Sequence, residues 1–78
     1  MDHNGFYEWL LTEKKMSKRS AKDVLSRCKR VCNLLSIDEI SEDSLTQLTL
    51  AVKFNDKSMF IKSQLKRAVS LWLEYGGK

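Results

Sequence analysis

The side chains best suited to chemistry in this sequence are its cations. Positions 14 to 30 hold eight basic residues, Lys14, Lys15, Lys18, Arg19, Lys22, Arg27, Lys29 and Arg30, against one acid, Asp23. Ammonium and guanidinium groups at this density pair with phosphate oxygens and release counterions, giving affinity for a polyanion with little sequence content. Duplex DNA is the commonest such partner. A second set, Lys62, Lys66 and Arg67, follows later in the chain, with the Ser63 hydroxyl as a further hydrogen-bond donor.

Other candidates weaken on inspection. Cys28 and Cys32, four apart on a helix, are poorly placed to bridge. As metal ligands they need two more partners, and none is well placed, His3 included. Both fall in an apolar stripe and read as buried thiols. Asp38, Glu39, Glu42 and Asp43 make a carboxylate cluster, but two of them suit the start of a helix. Phe6, Trp9, Phe54, Phe60 and Trp72 offer faces on which bases could stack, yet they sit at core spacing. No nucleophile, base and orienting group can be assembled, so the chain reads as non-catalytic, with no cofactor and no small-molecule substrate.

The elements that position the cations follow from composition and periodicity. Seventy-eight residues with no proline, and with glycine only at Gly5, Gly76 and Gly77, suit one small helical domain. No segment reaches the ~18 apolar residues of a membrane span. The start has no charged and apolar leader pattern, so a cytoplasmic protein with reduced thiols is expected. The net charge of +4 is unevenly spread. Residues 1–13 and 36–56 are acidic, whereas 14–35 and 57–78 are basic.

Asn4 is a candidate cap for a first helix over about 5–15, with Phe6, Trp9 and Leu10 on one face. Ser17 caps a second helix over 18–35 whose apolar positions are Ala21, Val24, Leu25, Cys28, Val31, Cys32 and Leu35. Lys18, Lys22 and Lys29 line one flank of that stripe, and Arg19 and Arg30 lie further round. Residues 36–40 connect to a third helix over 42–54, capped by Ser41 or Asp43, with Leu45, Leu48, Ala51 and Val52 as its stripe. A fourth helix over 58–75 starts at Ser58 or Asp56 and ends at Gly76. Phe60, Ile61, Leu65, Ala68, Val69, Leu71 and Trp72 form its apolar arc; Lys62 and Lys66 share a polar flank. Arg67 has Glu74 and Asp56 as alternative partners. The expectation is an all-α fold, a small four-helix bundle. If the second and fourth helices pack side by side, their polar flanks make one cationic surface.

Phe6-Tyr7-Glu8-Trp9-Leu10, then Met16-Ser17-Lys18-Arg19-Ser20, then Val24, Cys28, Val31 and Leu35 resemble the N-terminal core-binding (SAM-like) domain of tyrosine recombinases and phage integrases. That domain opens on an aromatic-rich helix and enters its second helix through a Leu-Ser-x-x-Thr motif. Ser17 and Ser20 fit the motif, with Met16 in the apolar position. Ser58, Leu65, Ala68 and Trp72 match the start and ladder of its fourth helix. The similarity spans about 6–75, and Val24 and Val31 stand where the family often has aromatics. It implies half of a clamp around double-stranded DNA, gripped by the second and fourth helices. The family's tyrosine, arginine, lysine and histidine chemistry belongs to a separate C-terminal domain of a longer parent; Tyr7 and Tyr75 lack the matching context.

Charge and resemblance thus lead to the same two helices. The residues expected at DNA are Lys15, Ser17, Lys18, Arg19, Ser20, Lys22, Lys29, Lys62, Ser63, Lys66 and Arg67. A different class of reading is a stand-alone phage or mobile-element interaction module, acting as a repressor, a decoy or an inhibitor of a host factor. Its contacts would be the acidic 38–43 segment, or Leu34, Leu50 and Leu73.

Overall fold

Ala21, Val24, Cys28 and Val31 recur at three- and four-residue spacing, and they are the buried residues of the longest helix. A computed structural model of the protein describes residues 3–76, apart from the side chain of Lys53. The described residues form α1 (His3–Thr12), α2 (Lys18–Leu35), α3 (Ser44–Leu50), α4 (Val52–Asn55) and α5 (Met59–Tyr75), with no strand among them. The segments α3 and α4 together fill the place of the expected third helix, so the architecture is an all-α bundle with four helical positions.

Two of the four expected starts are capped as serine chemistry dictates. The Ser17 hydroxyl oxygen accepts from the Ser20 N–H at 3.2 Å, and that of Ser58 accepts from the Ile61 N–H at 3.3 Å. Gly76 closes α5 in the left-handed region at φ 90°. Ser36 closes α2 at φ 55°, a conformation that suits glycine better than serine. At α1 the expectation fails, because the chain is already helical at His3 and Asn4 lies inside the first turn. That helix also ends at Thr12, and Lys15 turns the connector with φ 53°.

The bundle is organised by α5. It packs most extensively on α2, and α1 lies against both. Along the seam of the two long helices, Met16 and Ser20 share a concavity with Arg67, and Arg30 shares one with Gln64. Phe6, Leu10, Leu48, Leu65, Val69 and Trp72 are buried at the centre. The Phe6 and Trp72 rings meet edge to face at 5.0 Å, and Tyr75 closes the cluster at 5.6 Å from Trp72. Each such aromatic buries roughly 150–250 Å², the largest single contributions a domain of this size has. The Trp72 Nε1–H donates to the Ile40 carbonyl at 3.2 Å, which ties the 36–43 connector to the core.

The third expected helix breaks at Ala51, which is extended at φ −74°, ψ 130°. Helical phase explains the break. On one continuous helix Val52 would fall on the Leu48 stripe, and Phe54 would point about 120° away from it. The break reverses this, burying Phe54 and leaving Val52 76% exposed. Burying the larger ring is worth roughly 1.5–3 kcal/mol. The Asn55 side chain then donates to the Thr49 carbonyl at 3.2 Å, and at 3.1 Å to the Ala51 carbonyl, which also keeps its backbone bond from the Asn55 N–H. Neither expected cap acts through its side chain at this start: Asp43 makes no capping bond, and the Ser41 N–H donates to the buried Ser44 hydroxyl at 2.8 Å. Phe60 also departs from expectation. It stands 70% exposed rather than in the core arc of α5.

Candidate nucleic-acid interface

On α2 the cations surround the helix on every side except its buried stripe. At 3.6 residues per turn, Lys18, Lys22 and Lys29 fall on one flank and the outer face, whereas Ser20 and Arg27 fall on the other flank. Lys18, Arg19, Lys22, Lys29 and Arg30 are exposed, and Arg27 is half-buried. Among the described residues none of the six has an acidic partner within 4.0 Å. Two of them, Lys18 and Arg19, occupy the first turn, where no acid is present. The positive end of the helix dipole repels cations there, at a cost of roughly 0.3–1 kcal/mol each at low salt. An anion bound at this turn meets two cations and the dipole together.

The two long helices do pack side by side, but the flanks they turn to each other are not the expected ones. The groove between α2 and α5 holds two adjoining concavities, of about 260 and 290 Å³. Arg27 and Asp23 line both; Arg30 and Gln64 line the first, and Arg67 the second. Lys18, Lys22 and Lys29 lie across α2 from this groove. Lys62 and Lys66 lie across α5 from it, with their Nζ atoms 5.9 and 5.8 Å from the centre of the Phe54 ring. The expected single lysine surface is therefore split by an arginine-lined groove. Arg67 is the one residue of the second expected set that reaches the groove, and Ser63 is exposed on the outer face of α5.

Periodicity held the signal for the missed residues, because Arg27 sits beside Val24 and Cys28 at the edge of the stripe. Gln64 carries no charge and offered no comparable signal. The alternative partners of Arg67 are also corrected. Glu74 pairs instead with Lys14 at 2.6 Å, and Lys14 also lies over the Trp9 ring at 5.4 Å. Lys14 is thus committed to holding the end of α5 against the α1–α2 connector. Lys15 is exposed in that connector. The Ser17 hydroxyl, besides capping α2, donates to the Ser20 hydroxyl at 3.1 Å, so the two serines form one local unit.

The cysteines lie inside the packing. Cys28 is buried and donates to the Ala68 carbonyl at 3.5 Å, joining α2 to α5. Burial, with a smaller contribution from Cys32, pushes its thiol up to about 12. Burial also raises the half-buried Cys32, and Asp38 and Glu39 add to that. Both are neutral thiols at physiological pH, not nucleophiles. Among the described residues no three His, Cys, Asp or Glu side chains come together as a metal site. No helix there is long and apolar enough to cross a membrane. Compared with known protein families, curated proteins and solved structures, the chain matches none.

Proposed function

We propose that this chain binds double-stranded DNA as a non-catalytic helical domain, holding phosphates with α2 and with the arginine groove it shares with α5. One observation carries the reading: among the described residues, six cations on α2 stand without ion-pair partners, two of them against the dipole of its first turn. A protein that needed them only for solubility gains nothing from that placement, whereas a phosphate relieves it. Arginine's planar fork suits phosphate oxygens, so Arg27, Arg30 and Arg67 are suited to gripping a backbone strand, and the lysines to steering it.

These are the two helices that the core-binding resemblance assigns to DNA. On that reading the chain is the clamp portion of a phage-type integrase or site-specific recombinase, and strand cleavage belongs to a C-terminal catalytic domain of a longer parent. Log affinity for a short duplex should fall with log salt at a slope of about −4 to −6, for five or six phosphates contacted. The double variant Lys18→Glu/Lys22→Glu separates function from fold. Glutamate in the first turn favours the dipole, so melting should be unchanged or slightly raised, while duplex affinity at moderate salt drops at least tenfold. Unchanged affinity in the folded variant would remove α2 from the interface.

The second reading, a protein-interaction module, is favoured by the exposure of Leu50 together with Val52, Met59 and Phe60. Leu34 and Leu73, the other leucines expected at such a contact, are half-buried.

A further inference from the structure

The two ends of α5 differ in a complementary way. At its start Met59 and Phe60 are 78% and 70% exposed, and Leu50 and Val52, which precede them in the chain, are each 76% exposed, so the α3–α5 stretch leaves unusually much apolar surface in solvent. Lys62 and Lys66, three and seven residues on from Met59, share its flank of α5 and lie over Phe54. At its other end, about 20 Å along the helix axis, lies a concavity of about 340 Å³ walled by Ile40, Trp72 and Leu73, with Glu42 on its rim. Asp43, Asp38 and Glu39 extend the acidic charge from the same connector and are exposed.

From this pairing we infer that the chain associates with a second copy of itself, head to tail. The start of α5 in one copy seats Met59, with Phe60 beside it, in the Trp72 concavity of the next, and Lys62 and Lys66 face Glu42 and Asp43. A knob beside cations and a hollow beside acids on one chain supply both halves of a contact. A second copy is therefore the occupant that this complementarity favours. Because the two patches differ, the contact is heterologous and leaves a free knob at one end and a free hollow at the other, so it adds copies head to tail rather than stopping at a two-fold dimer. The molecule measures 34 × 23 × 16 Å. An end of that cross-section offers less than the roughly 800 Å² per partner of a stable interface, so the association is weak and salt-sensitive. It stands independently of the DNA reading.

Sedimentation equilibrium on the whole chain tests it. The weight-average mass should rise above the monomer value between about 0.1 and 1 mM, the range of weak contacts, and return toward it at high salt. Met59→Glu/Phe60→Glu removes the knob, and Glu42→Lys/Asp43→Lys reverses the hollow. All four positions are exposed, and circular dichroism checks that each variant folds; Phe60→Ser alone serves if the double change at the start of α5 does not. Each variant alone should stay monomeric. An equimolar mixture should form a one-to-one dimer and nothing longer, because one functional knob meets one functional hollow. A wild-type chain that stays monomeric at 1 mM overturns the inference and leaves the start of α5 to a foreign protein or a bilayer. A mixture that stays monomeric, or variants that associate as the wild type does, overturns it equally.

Discussion

The helix α2 and the α3–α4 segment both carry an amphipathic pattern, yet only α2 folds as its pattern dictates. In α2 the buried side chains lie on one stripe, so packing agrees with periodicity and the cations stand outside it with no ion-pair partner among the described residues. In α3–α4 the largest side chain, Phe54, lies off the stripe. The helix breaks to bury it, and Leu50 and Val52 are left in solvent. One region thus presents charge and the other presents apolar surface, and each is a by-product of how its helix met the core. The electrostatic side of the bundle is regular; the hydrophobic corner is where regularity gave way.

The contrast breaks most visibly at the core. Trp72→Ala removes the ring that meets Phe6 and the donor to the Ile40 carbonyl, and should cost about 3–5 kcal/mol in chemical denaturation. Phe60→Ala, on the same helix, should stay within about 0.5 kcal/mol of wild type. Equal losses would place Phe60 in the core after all.

A smaller effect tests the seam between α2 and α5. The folded state holds the Cys28 thiol at about 12, above its ordinary 9.0. The unfolded chain therefore releases this proton first. The stability this thiol contributes is intact below pH 9 and is lost as pH rises from 9 towards 12. Cys28→Ala should flatten that part of the pH–stability curve relative to wild type. Alkylation of Cys28 at neutral pH should proceed only as fast as the domain opens.

Asn55→Ala probes the break itself. It leaves the Thr49 and Ala51 carbonyls without their side-chain donor and should cost about 1 kcal/mol in a denaturant melt. A change below a few tenths would mean that water satisfies those carbonyls equally well. The smallest effect sharpens the charged side. Asp23 is the one acid of the groove. Asp23→Asn should tighten duplex binding about two- to fivefold at low salt by lifting its repulsion of phosphate, an advantage that fades as salt rises.

Much of this was legible in the sequence, for particular reasons. Ser17 and Ser58 were read as caps because a hydroxyl ahead of a periodic segment has a backbone N–H to satisfy. The α2 stripe was read because nothing competed with it. The α3–α4 break was not, since it depends on a long-range choice between Val52 and Phe54 that local periodicity cannot express. The candidate site was half legible. Charge alone singles out Lys18, Arg19 and Lys22, which the structure leaves exposed, but the groove needs the facing of α2 and α5, which only tertiary packing sets. Lys62 and Lys66 looked like its second wall because they share a flank. The structure gives that flank to Phe54 and gives the wall to Arg67 and Gln64.

The central claim, that α2 and its groove with α5 form the face for DNA, is tested most directly by an NMR titration of the labelled chain with a short duplex at low salt. Amide shifts should concentrate at 17–30 and 64–67, and those of Lys18, Arg27 and Arg67 should be lost as salt is raised. Shifts centred on 38–50, or a spectrum that the duplex leaves unchanged, would contradict it.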